Sequence, residues 1–133
     1  MSFQTGARYP YTGTAGAPVR TCERWQGGGA STALAAVAKL SGRNITGVAF
    51  VSTGRYTVTF RNVGAQFLGI GGTVASAAGA TNTFVVREVV GSYSATAKTV
   101  DITICDLATP TLHDLATTEF VRLEAEWSDT DQP

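Results

Sequence analysis

Short runs in which apolar and polar residues alternate strictly are the feature that most constrains this chain. Between Arg55 and Phe60 every second residue is large and apolar, and the same alternation recurs in Thr99–Cys105 and Glu119–Trp127. A period of two places alternate side chains on opposite faces of a β-strand, so each run predicts a strand with one face in a core. The predicted core consists of Tyr56, Val58, Phe60, Val100, Ile102, Ile104, Val121, Leu123 and Trp127.

Further short segments extend the predicted β domain. Ile45–Val51 precedes Arg55–Phe60 across a turn that ends in Gly54, which predicts a hairpin with this glycine at positive φ. Gln66–Val74 contains three glycines, which indicate a bulge or a close backbone approach. Thr32–Leu40 is rich in alanine but short for a helix, and we interpret it as a strand. The sequence therefore predicts an all-β domain.

The run Thr83–Val90 is apolar on both of its faces. Phe84 and Val86 point one way, and Val85 and Val89 point the other. One face of a strand in a two-sheet sandwich ordinarily contacts water. One of the two faces is therefore predicted to contact another subunit, with cover by a loop as the alternative. We take the face of Phe84 and Val86 as the candidate assembly face.

Residues 1–30 show neither a period of 2 nor one of 3.6, and they contain six glycines and two prolines. We interpret this segment as an extended anchoring arm, with a disordered tail as the alternative. The β domain then spans residues 31–127, and residues 128–133 form an acidic tail. Aromatic rings and guanidinium groups supply contact area and forked hydrogen bonds at interfaces. The expected contacts of the arm are Tyr9, Tyr11, Arg24 and Trp25.

The composition argues against an enzyme. No Ser or Cys stands in an activated-nucleophile motif, so we interpret the single histidine, His113, as an exposed loop residue. Asp101, Asp106 and Asp114 lack a metal-binding loop motif. The glycines at 69–72 lack the Lys-Ser/Thr and the helix that follow a phosphate-binding loop. We expect no catalytic, cofactor or metal site.

Charge and targeting patterns predict neither a nucleic-acid nor a membrane partner. Ten Lys and Arg balance ten Asp and Glu, so no global field steers the chain to polyanions. Its opening residues, MSFQTGARYP, lack the pattern of a secretory signal, and no apolar run approaches the roughly 20 residues of a membrane span. In a protein made in the cytoplasm, we expect Cys22 and Cys105 to be free thiols.

The segment Asn44–Phe60 (NITGVAFVSTGRYTVTF) resembles the small jelly-roll head domains of bacteriophage fibres and of other phage virion proteins. These domains are relatives of the tumour-necrosis-factor-like trimer fold. The likeness extends over about residues 32 to 127 and includes the alternation at Phe120-Val121-Arg122-Leu123. It implies a small jelly-roll β-sandwich and a homotrimer whose threefold contacts come from one sheet of each subunit.

Two classes of function follow from this resemblance. Because an arm rather than a stalk precedes the predicted head, we expect a structural virion protein that decorates, cements or forms a spike on the capsid. Such a protein is assembled in the host cytoplasm, and its partners are its own copies and the major capsid or other virion proteins. The alternative is the receptor-binding or carbohydrate-binding tip of a tail fibre, for which Tyr93, in a loop expected opposite the arm, is the candidate contact.

Overall fold

Nine strands form one continuous antiparallel sheet in the computed structural model, which describes residues 19–29, 40–41, 44–76 and 83–128. The strands are β1 (Val19–Gln26), β2 (Leu40–Ser41), β3 (Ile45–Ser52), β4 (Arg55–Phe60), β5 (Gln66–Ala75), β6 (Phe84–Glu88), β7 (Thr99–Asp106), β8 (Thr111–Leu112) and β9 (Phe120–Ser128). Their order across the sheet is β2-β1-β9-β5-β6-β7-β4-β3, and β8 pairs with β7.

The all-β class predicted from the alternating runs is confirmed. β4 has the predicted bounds, β7 ends one residue later than predicted, and β9 both begins and ends one residue later than predicted. Every residue of the predicted core is at most 2% exposed. Gly54 has the expected positive φ, 68°, in the turn between β3 and β4. The predicted strand Thr32–Leu40 lies outside the described residues except for Leu40, which begins β2.

The sheet curls so that strands distant in its order face each other across one core. Phe60 of β4 packs edge to face on Trp127 of β9 with ring centroids 4.9 Å apart, although three strands lie between β4 and β9 in the sheet. Near the two ends of the sheet, the backbone N–H of Asn44 donates a buried hydrogen bond of 2.8 Å to Oε1 of Glu23 on β1. The two halves of the sheet thus face one another as in a sandwich, while its hydrogen bonding continues from half to half.

The first strand lies in the segment that the sequence analysis assigns to the arm. β1 pairs with β9 along its whole length, from Val19 to Gln26. Its inner face carries Val19, Thr21, Glu23 and Trp25, each at most 4% exposed. The boundary predicted at residue 30 is therefore corrected, because residues 19–26 belong to the β domain. Two polar residues on the inner face hide the alternation in the sequence. Residues 1–18 lie outside the described residues.

Candidate interaction surfaces

The course of β1 and β9 defines two ends of the domain. Val19, the first residue of β1, lies opposite Trp127, the next-to-last residue of β9. We call this the entry end, because residues 1–18 join the sheet here. The opposite end contains Gln26, the turn at Gly54 and residues 113–119, and we call it the far end. The N-terminal segment and the residues after β9 therefore leave the sheet from the same end.

Tyr93 lies at the entry end. Its ring stacks on Phe67 with centroids 4.5 Å apart and an interplanar angle of 10°. Phe67 lies opposite Trp127 in the pairing of β5 with β9, and Trp127 in turn lies opposite Val19. The prediction that the loop of Tyr93 stands opposite the N-terminal segment is therefore corrected. Tyr93 is half-buried and helps to close the end at which β1 begins.

Three of the predicted contact residues are inside the domain. Trp25 is 0% exposed, Phe84 is 6% exposed and Val86 is 5% exposed, and all three belong to the hydrophobic core. They are corrected from assembly residues to core residues, because a buried side chain offers no surface to a second subunit. The outward residue between Phe84 and Val86 is Val85, which lies directly opposite Cys105 of β7.

Arg24, another of the predicted contact residues, is exposed at the surface of the domain. It lies on the outer face of β1, with its guanidinium carbon 4.2 Å from the centre of the Phe120 ring. Its cross-strand neighbour on β9 is Arg122. Tyr9 and Tyr11, the other predicted contacts, lie outside the described residues.

An apolar row crosses the outer face of the sheet. Val85 on β6, Cys105 on β7 and Leu112 on β8 are neighbours in the strand register. The end of the row at Leu112 is open to solvent, because Leu112 is 48% exposed. Cys105 carries a free thiol, as does Cys22, so the expectation of two free cysteines is confirmed. No local pattern shows this row, because it consists of residues from three strands.

A groove of about 400 Å³ lies over β5, where Gly69 and Gly71 contribute no side chains. Arg20, Glu124 and Glu126 line the groove on the side of β1 and β9. The guanidinium group of Arg20 donates two hydrogen bonds, of 3.0 Å and 2.6 Å, to Oε2 of Glu126. These bonds raise the pKa of Arg20 above its ordinary value. On this wall of the groove, the charge of Arg20 is therefore paired with that of Glu126.

The far end is closed by residues 113–119, which include the histidine. Nε2 of His113 is 2.8 Å from Oε1 of Glu119, and the imidazole ring stacks on Phe84 with centroids 4.0 Å apart. The same carboxylate oxygen accepts the backbone N–H of Ala116 at 2.7 Å. With its side chain 30% exposed, His113 is not the exposed loop residue of the sequence-based interpretation. It fastens this segment to the sheet.

Tyr56 connects the same segment to the core. Its hydroxyl group accepts a hydrogen bond of 2.8 Å from the backbone N–H of Leu115. Burial raises the pKa of Tyr56, and the hydrogen bond from Leu115 opposes part of that increase. Beside it, Oδ1 of Asp114 accepts the backbone N–H of Gly54 at 2.7 Å. The turn between β3 and β4 is thereby joined to the segment that closes the far end.

Comparisons with family models, curated proteins and solved structures find no match to this chain. Within the described ranges, no helix is long and apolar enough to cross a membrane. Among the same residues, no group of three or more His, Cys, Asp or Glu is placed to hold a metal ion. A functional proposal therefore depends on the chain's own residues and on the surfaces described above.

Proposed function

We propose that this chain is a non-enzymatic structural protein of a tailed-bacteriophage virion. In this proposal it forms a homotrimeric decoration, cement or head-spike protein, held on the capsid by residues 1–18. The observation that carries the proposal is the position of β1. Because β1 pairs with β9 along its whole length, residues 1–18 are attached at the entry end, opposite the end that contains Gln26 and the turn at Gly54. Tyr9 and Tyr11 belong to the attached segment.

The strands that resemble phage head domains support this proposal. β3, the turn at Gly54 and β4 form an antiparallel hairpin, as that resemblance implies. Phe50 and Tyr56 pack edge to face within it, with ring centroids 5.8 Å apart. The hairpin thus joins the core through its aromatic residues.

The outer apolar row supports the trimeric part of the proposal. Val85 replaces Phe84 and Val86 as the residue of β6 that a neighbouring subunit would contact. Together with Cys105 and Leu112 it presents apolar side chains that contact with a second copy would remove from water.

Sedimentation of the purified chain tests the trimer. At micromolar concentration we expect about three times the chain mass of 13.8 kDa. Val85→Glu and Leu112→Glu, which place charges in the row, should give monomers with a retained fold. Leu68→Glu is the matched control, because Leu68 on β5 is 50% exposed but lies outside the row. A well-folded monomer of the natural sequence would contradict the trimer.

Binding to particles that lack the protein tests the anchor. A chain that begins at Val19 keeps β1 and should fold and trimerise, but it should not join the particles. A full-length chain with Tyr9→Ala and Tyr11→Ala should bind with reduced occupancy. If the shortened chain decorates particles at the natural occupancy, the anchoring surface lies on the β domain. A fibre tip, in contrast, would keep its ligand affinity after this deletion.

A further inference from the structure

We infer that the groove over β5 is a binding site for a neutral oligosaccharide, whose hydroxyl groups Arg20, Glu124 and Glu126 bind. This inference goes beyond the proposed function and does not depend on whether the chain decorates a capsid or forms the tip of a fibre. Neither trimerisation through the outer apolar row nor anchoring by residues 1–18 uses this groove.

The floor of the groove is bare backbone. Gly69 and Gly71 occupy successive outward positions of β5, and each lies opposite a glutamate of β9, Glu126 and Glu124 respectively. Ile70, between the two glycines, packs its side chain against the core. A ligand in the groove would therefore lie directly on the peptide groups of β5, beside two carboxylates.

The fold does not account for the glycine at position 71. Glycine weakens a strand, because it has no side chain to pack and loses more conformational entropy on folding than other residues. The β-bulge of β5 lies between Phe67 and Gly69, and the close approach of β5 to β9 involves Gly72. A Cβ added at Gly71 would meet no atom nearer than 4.0 Å. The remaining reason for glycine in a strand is the close approach of a ligand.

The wall beside β9 consists of polar side chains that their partners hold in place. Nε and Nη2 of Arg20 donate hydrogen bonds of 3.0 Å and 2.6 Å to Oε2 of Glu126. Nη2 of Arg122 donates one of 3.2 Å to Oε1 of Glu124. Within the described part of the chain, no residue donates a hydrogen bond to Oε1 of Glu126 or to Oε2 of Glu124. Each carboxylate thus offers a fixed acceptor, and Arg20 keeps further N–H donors.

The charges of this wall favour a neutral ligand that is rich in hydroxyl groups. The two arginines and two glutamates cancel one another, so an anion would have to displace Glu126 from Arg20, and a cation would have to displace Arg20 from Glu126. A hydroxyl group both donates and accepts hydrogen bonds, so it can bind a carboxylate or a guanidinium group without separating the pair. Such bonds to ionised groups are stronger than bonds between neutral groups.

The size and openness of the groove suit a saccharide chain. Its volume of about 400 Å³ lies within the range of roughly 300–1,000 Å³ that is typical of small-molecule sites. Its two pairs of glycine and glutamate are about 7 Å apart along β5, since an antiparallel strand rises about 3.4 Å per residue. The side chain of Arg20 is 66% exposed, so the groove does not enclose its ligand. None of the described residues that line it is aromatic, which disfavours a flat apolar ligand.

NMR titration of the isotope-labelled full chain with two neutral glucose hexamers tests the inference. Maltohexaose and cellohexaose differ in the configuration of their linkages and therefore in the curvature of the chain. At millimolar concentration, at least one of them should cause saturable shifts of the backbone amide signals of Gly69, Ile70 and Gly72. The signals of the far end, such as that of Gly54, should not move.

Three variants locate the site. Gly71→Val should abolish the saturable shifts, because its side chain occupies the floor of the groove, while the fold is retained because the space beside Gly71 is open. Glu124→Gln should weaken binding severalfold, since it keeps the shape of the side chain and loses the charged acceptor. Thr73→Val is the matched control. Thr73 is the next outward residue of β5 and does not line the groove, so this variant should bind within about twofold of the natural protein.

Four outcomes would overturn the inference. One is the absence of saturable shifts at the groove with both hexamers, and another is an equal loss for Thr73→Val and Gly71→Val. Tighter binding of an anionic polygalacturonate hexamer or a cationic chitosan hexamer would show an ionic site. Binding by the Val85→Glu chain alone would assign the groove to contacts between copies. Far-UV circular dichroism of each variant separates these outcomes from loss of the fold. Because the titration uses the isolated chain, its result is independent of binding to particles.

Discussion

At the scale of single residues, two adjacent glycines of β5 occupy opposite environments. Gly72 lies opposite Leu123 on the inner face, where an added Cβ would collide with the carbonyl oxygen of Arg122. Gly71 points into the outer groove, and the nearest atom to its added Cβ would be the carbonyl oxygen of Val86, at 4.0 Å. Only Gly72 is therefore required by the close approach of two backbones.

This difference predicts unequal effects of the same substitution. Gly72→Ala should lower the free energy of unfolding by roughly 1–3 kcal/mol, because β9 must move to admit the methyl group. Gly71→Ala should be neutral, or stabilise by up to about 1 kcal/mol through lower chain entropy in the unfolded state. Urea unfolding of both variants measures the two changes. Equal effects would mean that the inner face of β5 is assigned wrongly.

Tyr56 gives a second prediction at this scale. Tyr56→Phe leaves the buried N–H of Leu115 without its acceptor, at a cost of roughly 1–3 kcal/mol. The folded protein holds the phenolic proton more tightly than the unfolded chain does, because burial raises the pKa of Tyr56. Its contribution to stability is therefore complete below about pH 10 and is lost as the pH rises towards the folded-state pKa.

Unfolding curves between neutral pH and about pH 12 measure this effect. The natural protein should lose more stability at alkaline pH than Tyr56→Phe does, so the two curves of stability against pH should converge. Parallel curves would contradict a raised pKa for this tyrosine.

At the scale of elements, β1 is the strand whose loss should decide whether an N-terminally truncated chain folds. It covers the outer edge of β9 and contributes the fully buried side chains of Val19 and Trp25. A chain that begins at Val19 should keep the melting temperature of the natural protein to within a few degrees. A chain that begins at Gly29 loses a strand and two core residues, so it should not fold.

Circular dichroism of the two truncated chains on heating checks this prediction. Trp25→Ala in the full-length chain is an independent control, with an expected loss of roughly 3–5 kcal/mol. A folded chain from Gly29 with a cooperative transition would show that β1 is dispensable and that the arm extends to residue 30, as the sequence analysis assigns it.

At the scale of the whole molecule, one core connects the two halves of the curled sheet. The contact of Phe60 with Trp127 bridges strands that are not neighbours in the sheet. Phe60→Ala should therefore lower the free energy of unfolding by roughly 3–5 kcal/mol. Leu68→Ala, at a residue that is 50% exposed, should have little effect.

Two spectroscopic probes, followed together during unfolding, test whether the two halves of the sheet unfold as one cooperative unit. Trp25 on β1 and Trp127 on β9 are both fully buried on adjacent strands, so their fluorescence reports on that half of the core, whereas far-UV circular dichroism reports on the whole sheet. Fluorescence and far-UV circular dichroism should give coincident unfolding transitions in urea, for the natural protein and for Phe60→Ala. Separate transitions would mean that the halves of the sheet unfold independently.

The sequence by itself determined the strands whose inner faces are uniformly apolar. β4, β7 and β9 follow from local alternation, because a period of two depends only on neighbouring residues of one strand. Local alternation did not predict β1, because Thr21 and Glu23 occupy its inner face and their burial depends on partners far along the chain. The glycines before residue 30 made the whole segment look irregular.

The tertiary structure alone decided which outward residues lie together. The groove over β5 was not predicted, since Gly71 lies beside Glu124 only through the register of β5 against β9. The row from Val85 to Leu112 likewise arises from three strands, and the curl of the sheet places Tyr93 at the entry end rather than opposite it. Register and curl minimise the free energy of the whole sheet, so no local run of residues encodes them.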